Sequence, residues 1–83
     1  MAITDVRIRK IFQTGAIKAI ASVTIYDSFV IHDIKVVEGP NGIFVAMPSR
    51  KRPDGSFCDI AHPITQESRS LLLNAVLRAF EAA

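Results

Sequence analysis

Thr4, Val6 and Ile8 alternate with Asp5, Arg7 and Arg9, which is the period of a strand with one apolar and one charged face. Gln13-Thr14-Gly15 then offers a turn. From Ile17, the odd positions Ile17, Ala19, Ala21, Val23 and Ile25 make an apolar face. Lys18, Ser22 and Thr24 lie between them, with Ile20 the exception. The small Ala19, Ala21 and Ser22 would let another element approach closely. Tyr26-Asp27-Ser28 is short enough to close a hairpin into the β-branched run Phe29–Val37. If straight, that run aligns Val30, His32, Ile34 and Val36, but the polar pair His32-Asp33 interrupts it and predicts a bulge or bend.

Glu38-Gly39-Pro40-Asn41-Gly42 is a strong break. A further apolar strand, Ile43 to Met47, stops at Pro48. Arg50-Lys51-Arg52 follows, then a turn at Pro53-Asp54-Gly55 and a short strand from Phe57 to Ile60. This stretch reads as one hairpin with apolar arms and a basic tip. His62-Pro63 ends it, with His62 fixing the entry to a helix by hydrogen bonding. Thr65 is a good N-cap, Glu67 suits the first turn, and neither Gly nor Pro occurs from Gln66 onward. Leu72, Leu73, Val76 and Phe80 form its apolar stripe, with Leu77 beside it, and a core-facing role is the default for such a stripe.

The pattern predicts an α+β fold: a small antiparallel β-sheet of about five strands with a C-terminal amphipathic α-helix, in a single domain over residues 1–83. The helix covers one face of the sheet. The other face, or an edge, is left for a second subunit. Hydrophobic residues make up 49% of the chain, a surplus for so small a core that a homo-oligomer would cover.

A net charge of +2 says little about partners, but three of the ten cations fall in one turn. Cations on a loop can release the counterions condensed on a phosphate backbone, which gives affinity without reading sequence. The competing reading is a solvated loop that keeps the protein soluble. The single cysteine, Cys58, excludes an internal disulfide framework and a multi-cysteine zinc module. His32, Asp33, Asp59 and His62 show no metal-ligand spacing with Cys58, so core or turn-capping roles are expected and no metal. No phosphate cradle, carboxylate pair or nucleophile elbow accompanies Cys58, so no catalytic residue, cofactor or small-molecule substrate is assigned. Phe29 or Phe44 could serve as a base-stacking platform, but apolar runs on both faces argue for burial, at a dimer interface for example. No apolar run is long enough to cross a membrane, and M-A-I-T-D-V-R-I-R-K lacks the order of a secretory leader, so a cytoplasmic location is expected.

A-I-A-S-V-T-I at 19–25, F-V-I-H-D-I-K-V-V-E-G at 29–39, G-I-F-V-A-M-P-S at 42–49 and P-D-G-S-F-C-D-I-A-H-P-I at 53–64 resemble the SpoVG (septation, stage V sporulation protein G) family. The resemblance runs over almost the whole chain, in family order and spacing. It implies a small bacterial regulator of septation, sporulation or virulence that forms homodimers through sheet pairing and binds DNA and RNA. It also implies nucleic-acid contacts at Arg50, Lys51 and Arg52, with Arg69 of the helix as a further position. Cys58 departs from the family pattern, in which a cation often stands there, and so removes one possible phosphate contact. The alternative is a protein–protein interaction module that recruits a division or regulatory partner without nucleic acid.

Overall fold

The computed structural model describes residues 1–83. Strands β1 (Ile3–Ile11), β2 (Ile17–Ile25), β3 (Phe29–Gly39) and β4 (Gly42–Ala46) form a four-stranded sheet in the order β1-β2-β3-β4. Every neighbouring pair is antiparallel. Strands β5 (Ser49–Lys51) and β6 (Phe57–Asp59) make a separate two-stranded sheet, and helix α1 spans Gln66–Ala82. The architecture is α+β, with six strands in two sheets rather than about five in one.

The expected hairpin between residues 43–47 and 57–60 is not formed. β4 pairs backward with β3, matching Val36 to Val45 and Lys35 to Ala46, and Pro48 then ends the ladder. Having no N–H to donate, Pro48 cannot continue a strand that has a partner. The chain turns away and builds a new, shorter hairpin from Ser49–Lys51 and Phe57–Asp59.

Bulges decide which residues reach the core. One extra residue on β1 at Thr4 lets Ile3 and Val6, three positions apart, share the core face; a second lies at Arg9. The expected bend at His32-Asp33 is present: Ala21 pairs with Ile34 but Val23 with Ile31, so β3 carries an extra residue opposite Ser22. Asp33 takes φ of 61° there, a left-handed conformation that Asp tolerates better than most residues. The bulge therefore splits the face a straight segment would have had. Ile34 and Val36 are fully buried, whereas Val30 and His32 are exposed.

The core is one layer between the sheet and α1. Ala19, Ala21, Val23, Ile34 and Val36 of the sheet meet Leu72 and Val76 of the helix. Ala19 and Ala21 have no exposed surface, so their small side chains do let the helix close on β2. Thr65 caps α1 as expected: its Oγ1 accepts from the Ser68 N–H at 3.1 Å, and Glu67 stands in the first turn. Leu73, Leu77 and Phe80 flank the buried pair.

The face of the sheet away from the helix carries no covering element. Its two edges differ. β1 is bulged twice and carries Arg7, Arg9 and Lys10, features that discourage pairing with another chain. β4 is Gly-Ile-Phe-Val-Ala, without charge, Pro or bulge, and exposes Ile43 and Phe44 by 46% and 49%.

Candidate nucleic-acid interface

The β5–β6 hairpin projects as an arm. Neither of its strands comes within 8 Å, Cα to Cα, of the four-stranded sheet or the helix. Its base is tied by the Ile60 N–H to the Pro48 carbonyl at 2.7 Å, with Pro48 itself buried. Its tip is the expected turn. The Gly55 N–H donates to the Arg52 carbonyl at 3.0 Å, the Arg52 N–H donates to the Ser56 carbonyl at 2.7 Å, and Gly55 takes φ of 92°. Pro53 suits the first corner and Gly55 the left-handed position of such a three-residue loop.

Asp54 locks this tip. Its Oδ1 accepts from the Ser56 hydroxyl at 2.7 Å and from the Ser56 N–H at 3.0 Å. These two bonds, the hydroxyl first, hold its carboxyl below the ordinary value of 3.8. A carboxyl depressed on folding contributes stability above its unfolded pKa and surrenders it as pH falls through the lower folded value. The arm tip is thus expected to stay locked at neutral pH and to loosen only below about pH 3.8. An NMR titration of the Asp54 carboxyl should give a midpoint under 3.8 that moves up in Ser56→Ala; a wild-type midpoint at or above 3.8 would mean the lock is not made.

The arm does not present its cations as one cluster. Arg50 and Lys51 are strand residues facing Cys58 and Phe57 across the ladder, and Arg52 closes the turn. Successive strand side chains point to opposite faces, so Arg50 shares one face with Cys58 while Lys51 shares the other with Phe57 and Asp59; Arg52 lies past the strand, at the turn. Arg50 has no carboxylate on its face of the ladder, Lys51 shares its face with Asp59, and none of the three cations makes an ion pair. All three cations are exposed.

Arg69 is not part of the arm. It sits in the first turn of α1, its Nη2 donates to the Pro63 carbonyl at 3.4 Å, and it borders a cavity of about 170 Å³ lined also by Phe44, Val45, Met47 and Leu72. It braces the entry to the helix, together with His62, whose Nδ1 lies 3.0 Å from the same carbonyl. His62 thus has the expected role. His32, expected in the core or at a cap, instead lies exposed on the open sheet face with Nδ1 2.8 Å from Ser22 Oγ. Arg9 Nε donates to that same oxygen at 3.2 Å.

The sequence pattern did not single out this Arg9–Ser22–His32 group. A signal for it exists: folding the chain about Asp27 pairs Ile25 with Phe29 and Val23 with Ile31, which brings Ser22 opposite His32. Ser22 is nonetheless 4% exposed and the only buried polar side chain besides the apolar core. No three His, Cys, Asp or Glu side chains converge as metal ligands. Phe29 and Phe44 are exposed on the single chain, by 72% and 49%.

The SpoVG family pattern matches residues 1–82. A protein of Desulforudis audaxviator named "Putative septation protein SpoVG" is 62% identical over 81 residues, covering 98% of this chain and 92% of its own. The Caldicellulosiruptor bescii protein of the same name is 60% identical over 82 residues, with 99% and 93% covered. That of Clostridium perfringens is 62% identical over 81 residues, with 98% and 90% covered.

Proposed function

The chain belongs to the SpoVG family, and from that premise we propose a nucleic-acid-binding regulator of bacterial septation that acts as a homodimer. Its relatives are named for septation, which supplies the cellular role. The observation that carries the molecular role is the arm: Arg50 on its ladder and Arg52 at its turn are exposed, on an element whose strands stay more than 8 Å, Cα to Cα, from the sheet and helix. A charged element held apart from its own domain can follow a phosphate backbone without steric conflict. Its contacts position the protein and read no base.

The homodimer forms through β4. This edge is flat, uncharged and apolar, and antiparallel pairing of two copies about a two-fold axis satisfies its unpaired N–H and C=O groups. Both arms then belong to one particle, and occupancy by two arms at once raises avidity.

Fluorescence anisotropy of a labelled DNA duplex across a salt series tests this reading. Four arginines per dimer give a log–log slope of about −3.6, and about −5 if the two lysines also engage. A slope near zero, or no binding at low salt, removes the reading. A β4 edge that recruits a division partner by strand addition would then take its place.

A further inference from the structure

We infer that the helix-free face of the sheet is a second nucleic-acid surface, one that takes a single strand along β2. The inference rests on the nucleic-acid reading above and adds a site to it. Charge partition points there first. Strands β1 to β3 hold five cations, Arg7, Arg9, Lys10, Lys18 and Lys35, against the carboxylates of Asp5, Asp33 and Glu38. Their excess of two exceeds that of the arm, where three cations stand with Asp54 and Asp59.

Register then arranges these charges. Ile20 pairs with Lys10 on one side and Lys35 on the other, so the three share a face. Ser22 pairs with Arg7, and its Oγ is bonded by Arg9 and His32. The floor along β2 is made of short or recessed side chains, Ile20, Ser22 and Thr24, none of them exposed. Cationic walls rise on β1 and β3, about 9.5 Å apart across two strand spacings. Of the wall residues, Arg7 is neutralised by Asp5 at 2.9 Å, whereas Arg9, Lys10 and Lys35 have no carboxylate within 4.0 Å. The bond from Arg9 Nε to Ser22 fixes its guanidinium and leaves both terminal nitrogens for an incoming phosphate.

Aromatic rings select the kind of strand. Lys10 Nζ lies 5.1 Å from the centre of the Phe12 ring, and Phe44 pairs with Val37 on β4 while resting over Gly39. A methyl at Gly39 would come within 2.9 Å of Phe44 Cε1, so glycine there lets the ring lie down on the sheet. A half-buried ring under a cation at Phe12 and an exposed ring at Phe44 suit unpaired bases, whose faces can stack, and not a duplex, whose bases are already stacked.

The test compares a labelled single-stranded oligonucleotide of mixed sequence with the duplex of the same sequence. The Arg9→Gln, Lys10→Gln, Lys35→Gln variant should bind the single strand at least tenfold more weakly, with its salt slope reduced by about 2, while duplex binding changes by less than threefold. Equal single-strand binding by variant and wild type overturns the inference and leaves the arm reading intact. Failure of the wild type to bind either polymer overturns both. If the variant does not fold, the wild type decides the matter. Amide shifts at Ile20, Ser22 and Lys35 on adding the single strand support the sheet site; shifts confined to residues 49–59 overturn it.

Discussion

Replacing Arg50 and Arg52 together by alanine should weaken duplex DNA binding by between about a hundredfold and a few thousandfold near 0.1 M salt. Each phosphate contact on a duplex contributes about 0.9 to the log–log slope, close to an eightfold factor at that salt, and a dimer loses four such contacts. Lys51→Ala should cost less than about tenfold, although it removes the same charge per residue, because Asp59 shares its face of the arm. Anisotropy titrations of the two variants on one duplex separate the cases. Comparable losses would mean that the arm is not read by face and that the strand assignment of Arg50 and Lys51 is irrelevant to binding. The melting temperature should stay within about a degree or two of wild type in both, since the arm packs on neither sheet nor helix.

The second large effect lies in the core. Ile34 is fully buried, directly follows the His32-Asp33 bulge, and pairs with Ala21 beneath α1. Ile34→Ala is expected to cost about 3 kcal/mol, from lost transfer energy and from a cavity that a small Ala neighbour cannot fill. A domain of 83 residues has on the order of 4–12 kcal/mol in total, so the melting temperature should fall by roughly 12–24 °C. Ile34→Val should cost about 1 kcal/mol. Thermal melts at fixed protein concentration measure both. A loss under about 1 kcal/mol for the alanine variant would show that the sheet–helix layer does not depend on this side chain. Well below the new melting point, DNA affinity should remain near wild type.

Much of the fold was legible because its signals are local. The helix announced itself through Thr65, Glu67 and an unbroken run without Gly or Pro, and the arm tip through Pro53-Asp54-Gly55. The bulge at His32-Asp33 showed as a polar pair inside a β-branched run. Partner choice was not legible. The pattern of Ile43–Met47 says that a strand exists but not whether it pairs with the segment before it or after it. The three residues of β5 carry no apolar alternation at all, so the basic run looked like a loop. For the same reason its three cations looked equivalent, whereas the strand sets Arg50 and Lys51 on opposite faces and leaves Arg52 to the turn. The Arg9–Ser22–His32 group needed two registers at once, and local composition contains neither.

The separation of the arm from the sheet and helix also bears on how such a protein can change. Arg50, Lys51 and Arg52 are exposed, on an arm whose strands stay more than 8 Å, Cα to Cα, from the domain body, so a substitution there can strengthen or weaken ligand contacts at little folding cost. The arm is in this sense an adjustable cassette on a separately packed chassis. A lineage could drift here toward tighter or looser occupancy one residue at a time, and an engineer could graft a different turn between Pro48 and Ile60 and expect the host to fold.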